Sequence, residues 1–370
     1  MRVVVAPDSF KGSVPARDAA AAVAEGWRRE RPDDEVRLLP LADGGEGSCA
    51  VLAAAHPGAR WRPAQVTGPD GRPVRAGWLL LPDGTAVVEL AAASGLPLAA
   101  RPDALGAGTH GTGELTAAAL ADPATRRLLV ALGGSASTDG GAGALRALGV
   151  RLRDAEGRDL PPGGGALSRL ASVDLAGLPP PPPGGVTCLV DVTAPLLGPA
   201  GAARQFAPQK GASAGDVHRL EAGLRRLAEL LGGRPDQPGA GAAGGTGYGL
   251  AAAWGADLVA GAATIAEVAG LPAALADADL VLTGEGRFDD QSTRGKLVGH
   301  VLDVARAAGV PVHLVAGEVA APPPPPVVAA EDLTTLAGGR SAAMAEPRRW
   351  LAAAGSRSAR RLRPVGGAPG

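Results

Sequence analysis

The hydrophobic pattern opens with Arg2 to Ala6, a short apolar run of strand length, followed by Ala16 to Arg31, whose composition and spacing predict a helix. Glu35 to Leu39 predicts a second strand, and after the polar loop ADGGEG (42–47) the run CAVLAAA is helical. Strands alternating with helices predict a parallel sheet covered on its faces. The texture then changes near residue 61. VTGPDGRPVRAGWLLLPDGTAVVEL sets two Asp-Gly pairs between β-rich runs, the strongest short-range signal for hairpins. Helices come next, with strands at RLLVAL and TCLVDV, and PPPPPGG (179–185) is a surface loop before the latter. Asp216 to Leu231 predicts an amphipathic helix, and Gly239 to Gly249 a glycine-dense turn region.

From about residue 277 the first texture returns. ADLVLT predicts a strand, GEGRFDDQSTRGK a polar loop, LVGHVLDVARAAG a helix and VPVHLVAGE another strand. The proline run Pro322 to Pro326 interrupts regular structure after that strand, and the small, basic tail from Arg357 is expected to fray. The organisation expected is one discontinuous domain, residues 1–60 plus 270–370, interrupted by an inserted α/β domain with antiparallel hairpins, residues 61–269.

Composition narrows the class. The 370 residues suffice for two domains, and 46% hydrophobic with 20% charged is ordinary for a soluble globular chain. Aromatics are only 2%, so the core must be Ala, Val and Leu, with 56 glycines letting elements approach closely. A net charge of −1 with scattered basic residues leaves no electrostatic footprint for nucleic acid. No run is long and apolar enough for a membrane span, and no signal peptide is readable. Cys49 and Cys188 have no CxxC partner or histidine at ligand spacing, and read as two reduced thiols of a cytoplasmic protein. Neither a Walker A loop nor GxSxG occurs, and the GxGxxG matches at Gly106–Gly111 and Gly239–Gly244 do not follow strands as a dinucleotide fingerprint requires.

Five polar, glycine-flanked loops each follow or nearly follow a predicted strand: PDSFKGS (7–13), ADGGEG (42–47), GGSASTDGGAG (133–143), DVTAPLLG (191–198) and TGEGRFDDQSTRGK (283–296). In open α/β sheets ligands bind beyond the carboxyl ends of strands. Glycine lets backbone N–H groups close on phosphate oxygens, carboxylates hold Mg²⁺, and lysine neutralises developing charge. Each loop also has a plainer reading: Asp-Gly pairs make turns, Ser9, Ser13 and Asp191 can cap helices, and Lys11, Lys296, Glu285, Asp289 and Asp290 can be solvated. Their concentration at strand ends points to an enzyme of phosphoryl transfer or phosphate binding.

The ordered set VAPDSFKGS, LADGGEG, AAASGL, GTGELT, ALGGSASTDGGAGALRALG, DVTAPLLG, FAPQKGAS, GAAGGTGYGLAAAWGA and ADLVLTGEGRFDDQSTRGK resembles the bacterial glycerate kinases, from residue 3 to about 317. The resemblance implies two α/β domains, one Rossmann- or flavodoxin-like and split, the other inserted. It also implies ATP-dependent phosphorylation of D-glycerate, with 2-phosphoglycerate the usual product, by a monomer or homodimer. Three departures stand out: Ala194 and Thr138 where the family usually has Asn, and the proline insertion after Glu318.

On this reading Asp8 and Lys11 are delivered to the site by the first strand, with Lys11, Ser9 and the Gly12 N–H groups meeting a phosphate or the substrate carboxylate. Asp43 and Glu46, or Asp191, are candidates for general base, and Glu285 and Asp289 for Mg²⁺. Lys296 is expected near the nucleotide phosphates. The Ser135 to Gly141 loop with Asp139, the Gly244 to Gly247 turn with Gly245, Gly44, Gly45 and Lys210 are expected to bind substrate or phosphate. The alternatives are a kinase for another small hydroxy acid such as tartronate or lactate, a metabolite-binding regulator that has lost catalysis, and a phosphatase-like hydrolase.

Overall fold

The computed structural model describes residues 1–293 and 296–362. The strands run in chain order as β1 (Arg2–Val5), β2 (Glu35–Leu38), β3 (Arg60–Thr67), β4 (Pro73–Leu80), β5 (Thr85–Glu89), β6 (Arg127–Ala131), β7 (Arg151–Arg153), β8 (Ser172–Asp174), β9 (Val186–Val190), β10 (Asp257–Ala260), β11 (Leu280–Phe288), β12 (Val312–Val319) and β13 (Val327–Asp332). The chain forms two compact units. Unit 1 comprises Met1–Asp43, Ala50–Ala55 and the chain from Ala262 onward, and unit 2 comprises Gly44–Cys49 and His56–Gly261.

Unit 1 is built on a five-stranded, all-parallel sheet in the order β13-β12-β11-β1-β2. Counted within the unit this is 2-1-3-4-5, the flavodoxin-like order, whose direction reverses between β1 and β11. Val3, Val5, Phe10, Val14, Trp27, Leu280 and Leu282 share its core. The helices Ala16–Glu30 and Pro347–Arg361 pack on each other so closely that a Cβ on Gly355 would lie 2.1 Å from the Val23 carbonyl oxygen.

Unit 2 carries a six-stranded sheet, β10-β9-β6-β5-β4-β3, in which β5, β6, β9 and β10 are parallel and β3 and β4 antiparallel. The two Asp-Gly pairs lie in the turns that join β3 to β4 and β4 to β5. The helix Ala214–Leu231 begins in a capping box, with the Ser213 hydroxyl and Asp216 carboxylate exchanging bonds with each other's backbone N–H. β7 and β8 form a separate two-stranded sheet.

Three local expectations need correction. The Gly239–Gly249 turn region enters a helix, Ala242–Trp254, which absorbs left-handed backbone at Ala243, Gly244 and Gly245. The segment Gly284–Phe288 belongs to β11 instead of a loop, because β12 offers a parallel partner from Val315 to Val319. Arg357–Arg361 does not fray. It completes the last helix, where Arg357 and Arg361 both pair with the buried carboxylate of Glu331. The rest of the predicted tail, beyond residue 362, lies outside the described residues.

Candidate active site

In unit 1 the chain beyond β1 keeps to the sheet. The Asp8 N–H donates to the Gly284 carbonyl (2.8 Å), so Asp8, just past the carboxyl end of β1, sits directly beside the middle of β11. Phe10 and Val14, both buried, bridge to each other and pin a tight turn whose tip, Lys11, Gly12 and Ser13, is exposed. Gly12 takes the left-handed conformation this turn needs, with open space where a Cβ would stand. The chain beyond β2 follows β1 in the same way: Leu39 N–H donates to Val5 and Leu41 N–H to Pro7. It ends at Asp43, whose Oδ2 accepts from Lys11 Nζ at 2.9 Å. Lys11 is 73% exposed and Asp43 18%.

The order of the strands thus brings Asp8, Lys11, Asp43 and Glu285 to one side of the sheet, at the switch point. Burial pushes the Asp8 carboxyl up to about 7, the Asp43 and Glu285 charges push the same way, and the Ser9 N–H and Lys11 oppose them. Glu285 is also raised, chiefly by burial, with the Ser292 side chain, Lys296 and Lys11 pulling it back. Its Oε1 is buried without a hydrogen-bond partner among the described residues. Such an oxygen suits a hard cation. Asp289 instead organises its own turn, accepting from the Gln291 N–H at 3.0 Å, while Ser292 donates its N–H to the Asp289 carbonyl. Among the described residues no three His, Cys, Asp or Glu side chains stand close enough to form a complete metal cage. Mg²⁺ does not require one, since it commonly takes one or two carboxylates and fills its shell with water and phosphate oxygens. Glu285 fits that role. Lys296 is exposed at the N-cap of the helix Leu297–Ala308.

In unit 2 the nominated residues divide into exposed and internal ones. Asp191, just past the carboxyl end of β9, and Glu46 are exposed. Gly44 and Gly45 are buried, and the Gly45 carbonyl accepts from Ser48 Oγ at 2.8 Å at the start of the helix Ser48–Ala55. Lys210 is only 2% exposed, and its Nζ donates to Ser135 Oγ (2.8 Å) and the Ser137 carbonyl (2.5 Å). Burial brings its pKa down to about 8, against the pull of Asp139.

Asp139 is buried and its carboxylate is filled from within: Thr109 donates its N–H and Oγ1, and Gly141 and Gly143 their N–H groups. Gly244 and Gly245 are likewise internal. The Gly244 carbonyl accepts from the Gly140 N–H, and a Cβ on Gly244 would lie 2.1 Å from the Ser137 carbonyl oxygen. Lys210, Asp139, Gly244 and Gly245 therefore hold the backbone of the 133–143 loop from within.

Glu89 was not anticipated, although a carboxylate closing the apolar run TAVVE gives the same signal as Asp8. It is buried at the end of β5, accepts the Cys49 N–H, and has its pKa raised by burial. The two residues that depart from the family pattern are both buried. Ala194 contributes its carbonyl to the Gly241 N–H, while Thr138 Oγ1 has no partner among the described residues. Thr138→Val is expected to stabilise the protein by about 1 kcal/mol, read as a higher thermal midpoint, since a methyl group removes a buried unsatisfied hydroxyl. A lower midpoint would mean that the hydroxyl is bonded.

The glycerate kinase family profile matches residues 3–363. The chain is 45% identical over 331 residues to the glycerate kinase of Bacillus subtilis, covering 86% of each chain. To the glycerate 2-kinase of Escherichia coli it is 44% identical over 328 residues, again covering 86% of each. A crystal structure from Salmonella typhimurium LT2, assigned as a glycerate kinase 2, superposes with a TM-score of 0.84 at 38% identity and covers 98% of both chains.

Proposed function

The chain belongs to the glycerate kinase family, and from that premise we propose that it transfers the γ-phosphoryl group of ATP to a hydroxyl of D-glycerate, giving 2-phosphoglycerate. The observation that carries the assignment of roles is the convergence of Asp8, Lys11, Asp43 and Glu285 at the β1/β11 switch point. Asp8 is the general base. Its carboxyl, held near neutrality by burial and by like charges, takes the proton of the glycerate hydroxyl as that oxygen bonds to the γ-phosphorus and the bond to the ADP oxygen breaks. Lys11, oriented by Asp43, meets the charge of the phosphoryl group or of the glycerate carboxylate, aided by Ser9 and the Gly12 N–H.

Glu285 would hold Mg²⁺, with Asp289 four residues further along the chain. When bound, the metal neutralises phosphate charge during transfer. Lys296 is assigned to the nucleotide phosphates. On unit 2 the exposed Asp191 and Glu46 and the backbone of the Ser135 loop are assigned to substrate and phosphate contacts. Among the described residues no helix is long and apolar enough to cross a membrane. Cys49 and Cys188 are both buried and unbridged, which supports a cytoplasmic enzyme.

The test is a coupled assay of ADP formation with purified protein, Mg²⁺ and D-glycerate, with L-glycerate, tartronate and lactate in parallel, followed by identification of the product. 2-Phosphoglycerate is expected. 3-Phosphoglycerate would retain the kinase and change the hydroxyl that Asp8 must reach. Faster turnover of another acid would replace the substrate.

A further inference from the structure

Within unit 2 the segment Gly44–Cys49 stands apart, because the chain before it, Met1–Asp43, and after it, Ala50–Ala55, belongs to unit 1. The segment contains no strand, and its own bonds are short-range: the Ser48 N–H and Oγ both reach back to the Gly45 carbonyl, at 3.4 and 2.8 Å. Its place is therefore set by what it meets in unit 2. A Cβ on Gly133 would lie 2.7 Å from the Gly45 Cα, and one on Gly44 would lie 2.5 Å from the Gly261 Cα and 3.1 Å from the Leu189 Cβ. The segment is thus laid across the carboxyl ends of β6 and β9.

One side chain ties it there. Glu89 is the last residue of β5 and stands opposite Ala131, the last of β6. Its buried carboxylate accepts the Cys49 N–H, and the Gly47 N–H bonds it as well. The Cys49 thiol adds a contact, Sγ donating to the Val87 carbonyl at 3.5 Å. The charge that acts on Glu89, that of Glu46, is of like sign. Burial and a like charge both oppose an ionised carboxylate, and an apolar residue would close the run TAVV equally well. What the carboxylate supplies is a strong acceptor for two backbone N–H groups, since hydrogen bonds to a charged acceptor are roughly twice as strong as neutral ones.

We propose that Glu89 is a positioning residue of the enzyme: it holds the Gly44–Cys49 segment on the strand ends of unit 2 and thereby fixes Glu46 beside the start of the 133–143 loop. The two backbones meet at Gly133, whose Cβ would stand 3.6 Å from the Glu46 nitrogen. Glu46 is exposed and lies between Gly45 and Gly47, residues that by themselves leave a chain free to take many conformations. Bonds from Glu89 to Gly47 and Cys49, on the far side of Glu46, remove that freedom. Glu89 is itself enclosed, so it acts through the segment instead of on substrate. The role rests on the assignment of Glu46 to substrate contacts.

The experiment compares wild type with Glu89→Gln, Glu46→Gln and the double variant, by steady-state kinetics with D-glycerate, Mg²⁺ and ATP and by amide hydrogen exchange. The thermal midpoint of each variant is checked. Glu89→Gln keeps the shape of the side chain and replaces one carboxylate oxygen by an NH₂ donor. Exchange at Gly47 and Cys49 is expected to quicken about tenfold. KM for glycerate should rise about tenfold with kcat within about threefold, the pattern of lost substrate binding. A defect that merely reduced the amount of native enzyme would lower kcat and leave KM unchanged. Glu46→Gln should carry the KM rise on its own, and adding Glu89→Gln to it should change KM by less than about twofold. Unchanged exchange, a normal KM for glycerate in Glu89→Gln, or fully additive effects would each overturn the proposal. Should Glu89→Gln fail to fold, Gly133→Ala displaces the segment with Glu89 in place, because its Cβ presses on Gly45. It is expected to raise KM for glycerate likewise, and an unchanged KM there would also overturn the proposal. A wild type that turns over no glycerate, with faster exchange in Glu89→Gln, would keep Glu89 as the tie and sink the activity. Normal turnover with unaffected variants would do the reverse.

Discussion

Asp8→Asn is expected to lower kcat about 10³-fold and, in the same protein, to raise stability above pH 7. The first effect follows from removal of a positioned base, which contributes roughly 10²–10⁴ in rate. The second follows from linkage. The folded-state carboxyl titrates at about 7 against an ordinary 3.8, so between those values the native protein holds a proton that the unfolded chain has released. Stability therefore falls as pH rises from about 4 to about 7 and stays low above it. Asn carries no such proton. The variant should match wild type near pH 4 and exceed it by about 2–4 kcal/mol at pH 8, in EDTA and without nucleotide so that neither metal nor phosphate offsets the charge. Denaturation series at the two pH values measure this. An Asp8→Asn protein that is active, or no more stable than wild type at pH 8, would remove Asp8 from the role of base.

Lys11→Ala is expected to reduce turnover by several orders of magnitude, about 10³-fold, with the fold intact. The Lys11–Asp43 pair is solvent-exposed on the lysine side, where such pairs contribute at most about 1 kcal/mol to stability. Its importance lies in charge at the site, where a cation meeting a transferring phosphoryl group accounts for rate effects of this order. A second readout separates this from a mere loss of binding. The Lys11 charge holds the Asp8 carboxyl down, so its removal should shift the acid limb of the kcat/KM–pH profile upward. Lys11→Arg should restore the position of the limb and part of the rate. An unshifted limb, or an active alanine variant, would place Lys11 outside the chemistry.

Much of the architecture was legible because its determinants are local. Valine runs mark β1 and β12, Ala16 to Arg31 has helical spacing, Asp216 to Leu231 is amphipathic, and two Asp-Gly pairs announce the turns flanking β4. Misread segments are those that distant partners decide. Gly284 to Phe288 is polar enough for a loop, yet extends β11 because β12 supplies hydrogen bonds. The glycines of Gly239 to Gly249 look like a turn, yet enter a helix because the missing side chains at Gly244 and Gly249 let the 137–140 backbone approach. Arg357 and Arg361 look like a fraying tail, yet are tied to Glu331.

The same division runs through the site. Residue types and their order determined by themselves that acids, lysines and glycines gather at strand ends, and the order of motifs was enough to indicate the family. Tertiary structure decided the surroundings of each one. Asp8 and Asp139 are both acids in glycine-flanked loops, but Asp8 faces Asp43 and Glu285 across neighbouring strands, whereas Asp139 is filled by four donors of its own unit. Lys11 and Lys210 differ likewise, one exposed at a turn tip and the other enclosed behind a loop. The physical reason is that a side chain's charge, reach and reactivity depend on burial and on partners brought together by long-range packing, and neither is a property of its neighbours in sequence.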